Sequence, residues 1–263
     1  MKQGKLIGAS LGPGDPGMIT RAAWEALHSG ARWCWPVRRK NGESYALAIA
    51  LAGGLLPPDD GMALVFPMTH DRARLEKYWH AAAETVIAEL RRGRDVVFLV
   101  EGDASTYSTF GHLARTVRAL AADLTIETLA GVPAYNAACA RLAQPLADVD
   151  DTVAIVPAAY GVAVVDTMLA DFDTLVLLKV KPLLDELIAL LRRRGLLSHS
   201  RFIEKAGSAD ERVIHDITLL EGQKVNYLSL LIVRNPDRIK GERQRGCRKA
   251  APLPNPSAAI GET

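Results

Sequence analysis

Only three cysteines occur in the 263 residues, Cys34, Cys139 and Cys247, and no two of them form a C-x-x-C pair. That spacing supports neither a zinc knuckle nor a disulfide framework, so the thiols are expected to be reduced. The six histidines include no H-x-x-x-H or H-x-x-E-H arrangement, and metal-ligand spacing is therefore absent too. No apolar run approaches the roughly 20 residues that span a bilayer. The longest candidate, residues 46–56, contains Gly53 and Gly54 and stops at Pro57 and Pro58. A membrane partner is not expected. Residues 1–5 lead directly into a strand without the apolar core of a secretory signal, and a cytoplasmic enzyme fits best.

What is present is an ordinary globular balance, 49% apolar and 24% charged, in a chain long enough for two domains with real cores. The formal net charge is +2, yet residues 234–249 hold seven basic side chains against two acidic ones. This stretch has no aromatic residue for base stacking and runs into Pro252, Pro254 and Pro256. It reads as a solvated, flexible terminus, and no nucleic-acid partner is expected.

Strand and helix patterns alternate along the chain, which predicts an α/β fold with largely parallel or mixed sheets. Strands are expected at Leu6-Ile7, over 61–67, 96–100 and 125–129, and then over 152–156, 174–180, 201–203 and 227–233. Thr20 can cap a helix carrying Ala23, Trp24 and Leu27 on one face. Leu75, Tyr78, Trp79, Ala82, Val86, Ile87 and Leu90 recur at helical spacing up to Gly93, and residues 112–122 read as another helix. Pro182 opens a helix with Leu183, Leu187, Leu190 and Leu191 on its apolar face. The division expected is an N-terminal α/β domain over 1–123, a C-terminal α/β domain over 124–240 and a flexible tail over 241–263, with a ligand cleft between the domains.

Two loops carry the chemistry. The first, from Gly8 through Gly12-Pro13-Gly14-Asp15-Pro16-Gly17, follows a strand and precedes a helix. Its glycines allow close approach to a ligand, but Pro13 and Pro16 donate no N–H and Asp15 is an anion, which makes a poor phosphate cradle. The second, Glu101-Gly102-Asp103-Ala104-Ser105-Thr106-Tyr107, follows the buried run 96–100. Ligands of open α/β sheets bind outside the carboxyl ends of strands, so both loops are expected to line one crevice. Asp15, Glu101 and Asp103 would make it acidic. A carboxylate about 4 Å from a unit positive charge gains roughly 4 kcal/mol at an effective dielectric near 20, before desolvation, which favours a sulfonium over a phosphate. A plainer reading stays open: Gly-Asp-Pro-Gly is a turn and Asp103 a helix N-cap. No G-x-S-x-G elbow surrounds Ser105 or Ser108, so no nucleophile triad is signalled. His112, His70 or Tyr107 could take up a proton, the alternative for His112 being a helix-start residue bonded to backbone.

Together these residues resemble a known family. Gly8-x-x-x-Gly12-Pro13-Gly14-Asp15-Pro16, Glu101-Gly102-Asp103, Gly131-Val132-Pro133-Ala134 and Lys205-Ala206-Gly207 are similar to motifs of the tetrapyrrole methylases, S-adenosylmethionine-dependent enzymes of corrin and sirohaem biosynthesis. Tyr107-Ser108-Thr109-Phe110, with Ser44-Tyr45-Ala46 and Tyr227-x-Ser229-Leu230-Leu231, resembles the branch that methylates C20 of precorrin-2, giving precorrin-3A, or of cobalt-factor II. The chain departs from many relatives at Ala104, where they carry Pro, and at Pro133, where Thr or Ser is common. The resemblance implies a homodimer of two-domain subunits with S-adenosylmethionine in the cleft as co-substrate and a tetrapyrrole as substrate. It carries cofactor contact, largely through the main chain, onto Pro13, Glu101, Gly102, Asp103, Thr106, Pro133, Ala134, Lys179, Ala206 and Gly207. Tyr107 and His112 become the catalytic candidates, with Tyr107 orienting the macrocycle. Arg38, Arg39 and Lys40 face the substrate carboxylates, a solvated basic turn being the alternative. No protein-bound metal is implied, since any cobalt travels in the macrocycle.

Overall fold

The computed structural model describes residues 2–240. The first half of the chain lays down five strands, β1 (Lys5–Ser10), β2 (Arg32–Val37), β3 (Met62–Val65), β4 (Val96–Val100) and β5 (Thr125–Leu129). All pair in parallel, in the order β3-β2-β4-β1-β5. β4 reads Val-Val-Phe-Leu-Val and is buried at every position, as a central strand covered on both faces must be. One face is covered by α1 (Arg21–Leu27) and α2 (Tyr45–Ala52), through Ile7, Leu27, Ile49 and Leu99. The other lies under α3 (Arg72–Arg91) and α4 (Thr109–Leu120), where Leu90, Phe98, Phe110 and Val117 interlock.

β2 is not expected from sequence because Pro36 interrupts it. Pro cannot donate to a sheet ladder and is tolerated only where one side is unpaired. The register supplies that opening: β2 pairs with β4 only over Arg32 to Cys34, whereas Pro36 lies opposite Leu64 of β3.

The expected junction at residues 123 and 124 needs correction. β5 pairs with β1 from Lys5 opposite Thr125 to Ala9 opposite Leu129, so the chain leaves the first sheet after Leu129. The half-polar pattern Thr-Ile-Glu-Thr-Leu marks a strand but says nothing about its partner. Beyond it come α5 (Ala134–Arg141), β6 (Val153–Pro157), α6 (Val162–Asp171), β7 (Thr174–Leu178), α7 (Leu184–Arg193), β8 (Ser200–Glu204), β9 (Arg212–Ile214) and β10 (Ser229–Arg234). The second sheet runs β6-β7-β10-β8-β9, with β6 parallel to β7 and the remaining pairs antiparallel. Leu187, Ile188 and Leu191 of α7 cover one face together with α6, and Ala138 and Cys139 of α5 cover the other. α7 has Asp185 and Glu186 in its first turn and Arg192 and Arg193 in its last, matching the helix dipole at both ends.

The basic stretch after β10 differs from the solvated terminus expected. Arg234 reaches Asp148 at 2.9 Å and Asp151 at 3.2 Å, Arg238 reaches Asp173 at 2.7 Å, and Lys240 reaches Asp151 at 2.6 Å and Asp173 at 3.1 Å. Residue counting reveals the charges but not partners brought in from 65 or more positions away. The expectation for residues 241–263 lies outside the described residues. Burial works against ionisation of Asp173, but the Thr152 N–H and hydroxyl, Lys240 and Arg238 together hold its carboxyl well below the usual carboxylate range. A carboxylate depressed in this way stabilises the fold above about pH 4, its unfolded value, and that contribution fades as pH falls further. Asp173→Asn is expected to lower the unfolding midpoint at pH 7 by several degrees, a loss of about 1–3 kcal/mol. Thermal unfolding of both proteins at pH 7 and at pH 3 checks it: the wild-type advantage should shrink at the lower pH.

Candidate functional site

β1 and β4 are neighbours at the point where strand order reverses in the first sheet, and the loops leaving their carboxyl ends emerge side by side. The main chain locks them together. Gly102 N–H donates to the Gly12 carbonyl at 2.8 Å and Gly12 N–H to the Gly102 carbonyl at 3.3 Å. Both residues hold left-handed φ angles, +75° and +72°, which glycine alone adopts at no steric cost. Beneath this bridge the fully buried Ser10 hydroxyl donates to the Leu129 carbonyl at 2.5 Å and accepts the Ala104 N–H at 2.8 Å. Asp103 completes the knot. Its Oδ1 accepts from the Ser105 N–H and hydroxyl and from Thr106, and its Oδ2 accepts from Gly131 N–H at 2.8 Å. Burial opposes its charge, yet these bonds hold its carboxyl below the ordinary value.

The turns after β7 and β8 of the second sheet close over these loops and enclose a cleft of about 360 Å³, within the range of small-molecule sites. A Cβ on Gly14 would sit 2.8 Å from the Ser208 nitrogen, so the first loop touches the turn after β8 directly. From the other loop, Tyr107 donates its hydroxyl to the Ile155 carbonyl of β6 at 3.0 Å and spans the two halves. Tyr107, Lys179 and Lys205 all hold left-handed φ angles, 51°, 56° and 50°, and all line the cleft. Such strain gathers at sites where a side chain must be aimed rather than relaxed.

Glu101 is open to the cleft but crowded by protein, and this burial pushes its carboxyl up to about 7 against the pull of Arg38. No hydrogen bond or ion pair engages its carboxylate among the described residues. Arg38 lies over the ring of Tyr227, 5.8 Å from the centroid. On the opposite wall Lys179 Nζ stands 5.9 Å above the Tyr107 ring, and Lys205 pairs with Asp210 at 2.8 Å. The cleft is therefore of mixed charge, not acidic. Asp103 is consumed by its own loop, and Asp15 caps the short turn at 16–18 by accepting from Gly17 N–H at 2.8 Å. Gly12, Gly14 and Gly17 have G-x-G-x-x-G spacing, but they open a three-residue turn closed by an anion.

Of the expected site residues, Pro13, Glu101, Gly102, Asp103, Thr106, Pro133, Ala134, Lys179 and Ala206 line the cleft, as do Tyr107 and Arg38. Gly207 abuts it, with its Cβ direction 3.5 Å from Pro13. Four candidates do not line the cleft. His112 stacks on Trp79 at 4.2 Å and accepts from Arg115 at 3.0 Å, because the helical phase of α4 turns it toward α3 and away from the cleft. Burial, then Arg115, lowers its pKa. His70 is exposed on the loop after β3 and does not line the cleft, and Arg39 and Lys40 point into solvent beyond it. Ser10, beneath the cleft, and Tyr45, Tyr135 and Tyr227, among its lining, are residues that sequence reasoning did not assign to the site. A serine at the carboxyl end of the apolar run Leu6-Ile7-Gly8-Ala9 is the available signal for Ser10. Among the described residues no group of three or more His, Cys, Asp or Glu side chains is placed to hold a metal ion.

The family described as Tetrapyrrole (Corrin/Porphyrin) Methylases matches residues 5–220. The chain is 31% identical over 233 residues to a cobalt-precorrin-2 C(20)-methyltransferase of Salmonella typhimurium, covering 88% of this chain and 96% of that protein. It is 29% identical over 242 residues to a precorrin-2 C(20)-methyltransferase of Sinorhizobium sp, covering 88% and 95%. Among solved structures, its fold is similar to the methyltransferase CobJ, with TM-score 0.62, 17% identity and coverage of 90% and 97%. It is also similar to uroporphyrin-III C-methyl transferase from Thermus thermophilus complexed with S-adenyl homocysteine, with TM-score 0.61, 20% identity and coverage of 88% and 97%.

The knot around Ser10 yields a test of its own. Ser10→Ala removes the bond to Leu129 and leaves the buried Ala104 N–H unpaired, and is expected to cost about 1–3 kcal/mol. Urea unfolding measures it. A loss below about 0.5 kcal/mol would show that the glycine bridge suffices to hold the loops.

Proposed function

The chain belongs to the tetrapyrrole (corrin/porphyrin) methylases, and on that footing we propose that it is an S-adenosylmethionine-dependent C-methyltransferase of cobalamin biosynthesis that methylates precorrin-2 at C20 to give precorrin-3A. The observation that carries this reading is the match along nearly the whole length of two relatives named for C20 methylation. The cobalt-loaded macrocycle is a second reading, favoured by the name of the Salmonella relative. Any cobalt would arrive within the substrate.

The cleft fits the methyl donor. A Cβ built on Gly102 would meet nothing within 4 Å, so the main chain there is open to a ligand. Pro13, Ala134 and Ala206 offer small apolar walls, and the cations of the cleft, Arg38, Lys179 and Lys205, are each engaged by a neighbour, Tyr227, Tyr107 and Asp210. When bound, the sulfonium supplies an activated methyl group. The residues named for the cofactor would hold it largely by main-chain contacts at Gly102, Ala134 and Ala206, with Pro13, Thr106, Pro133, Lys179 and Gly207 around them. Tyr107 is proposed to set the edge against which the macrocycle rests, since its bond to Ile155 fixes its position. Arg38, held against Tyr227, would pair with a carboxylate at the macrocycle rim.

A homodimer forms part of the same proposal. α2 carries no charged residue, and Leu51 and Leu56 stand 45% and 79% exposed in the single chain, a surface that a second copy would cover. So does a cytoplasmic location; no helix among the described residues is long and apolar enough to cross a membrane.

Calorimetry should detect S-adenosylmethionine and S-adenosylhomocysteine binding without competition from NAD or ATP, and anaerobic assays with precorrin-2 and its cobalt complex should identify the preferred macrocycle. No binding of either sulfur compound would remove the proposal. Arg38→Ala is expected to raise the KM for the macrocycle about fivefold, the equivalent of about 1 kcal/mol, and to leave S-adenosylhomocysteine affinity unchanged.

A further inference from the structure

We infer that Glu101 is the catalytic residue that accepts the proton lost from the macrocycle carbon as that carbon is methylated. The inference rests on the C-methyltransferase reading above. It begins from elimination among the candidates read from the sequence. Asp103 accepts four hydrogen bonds from its own loop and from Gly131, and Asp15 is turned to its cap. His112 is stacked under Trp79, and the Tyr107 hydroxyl already donates to Ile155. Glu101 carries a carboxylate at the end of a central strand, beside the open main chain of Gly102, with no hydrogen bond or ion pair to it among the described residues.

Its surroundings suit proton uptake. Burial raises the carboxyl pKa to about 7, against the opposing pull of Arg38 from the end of β2. Tyr45 of α2 and Tyr227 from the segment before β10 feel its charge, and both phenols are themselves raised by burial. Lys205 and Lys179 on the opposite wall are engaged by Asp210 and by the Tyr107 ring, and Glu43 faces the cleft from the loop before α2. A base with its pKa near the working pH gives the most effective proton transfer.

The step balances. The donor's S–CH₃ bond breaks with its electron pair left on sulfur, and a C–C bond forms with a pair from the conjugated macrocycle, which acquires the positive charge. The C–H bond at that carbon then breaks, its pair returns to the macrocycle and cancels the charge, and the proton forms an O–H bond on Glu101. Water later takes the proton from the neutral acid.

The test uses the full chain, with S-adenosylhomocysteine calorimetry and anaerobic turnover of precorrin-2 and of its cobalt complex measured across pH 5.5–9 for wild type, Glu101→Gln and Glu101→Asp. Glu101→Gln should bind S-adenosylhomocysteine within about threefold of wild type, lose at least about 10²-fold in kcat, and lack the fall in kcat/KM expected of wild type below about pH 7. Glu101→Asp should recover part of the rate and the acid limb, and it serves alone if the glutamine variant fails to fold. Turnover by Glu101→Gln within threefold of wild type, or an unchanged acid limb, overturns the inference. So does loss of S-adenosylhomocysteine binding, which would make Glu101 a ligand-holding residue. If wild type neither binds S-adenosylhomocysteine nor methylates either macrocycle, the parent reading fails first and takes this inference with it, an outcome recognisable because it appears before any variant is compared.

Discussion

The site depends on two main-chain hydrogen bonds between Gly12 and Gly102. They join the loops that leave two neighbouring parallel strands, and they form because both residues accept a left-handed backbone. Ser10 and Asp103 then satisfy the polar groups that this closure would otherwise bury unpaired, at Leu129, Ala104, Ser105 and Gly131. A buried polar group without a partner costs about 1–3 kcal/mol, so the knot is specific as well as stable. Its result is a rigid floor made of backbone, from which one carboxylate, that of Glu101, projects uncommitted.

The second sheet supplies the opposing wall and most of the positive charge. Lys179 and Lys205 end β7 and β8 in strained conformations, and each is steadied by a neighbour, an aromatic ring for one and Asp210 for the other. Arg38 comes from the first sheet but rests on Tyr227 of the second half. The direct approach of Gly14 to Ser208 and the hydroxyl of Tyr107 on Ile155 keep the walls in register. A cleft assembled in this way combines one anion on its floor with cations on its walls, an arrangement suited to a cationic donor lying beside a substrate edged with carboxylates.

The loops after β1 and β4 were legible because glycine, proline and acidic residues directly after an apolar run are local signals. The elements that escaped have local reasons as well. β2 contains Pro36, α2 is apolar all round and shows no helical period, β9 is only three residues long, and α5 follows Pro133, which offers no side-chain cap. His112 is one of three proton-acceptor candidates in the sequence, but its place on a helix does not say which way the ring faces, and the fold stacks it on Trp79.

Apolar runs, loop chemistry and their order were determined by sequence alone, and these were enough to indicate an α/β fold, a cleft at strand ends and a family resemblance. Which carboxylates stay free was decided only by tertiary structure. Asp15, Glu101 and Asp103 are equivalent as anions in a sequence, yet hydrogen bonds from residues as distant as Gly131 consume one, a local turn consumes another, and crowding raises the pKa of the third. The same holds for Arg234, Arg238 and Lys240, whose partners come from the segment around β6 and β7. Charge is a property of the residue, whereas its availability depends on the neighbours that folding brings within about 3 Å.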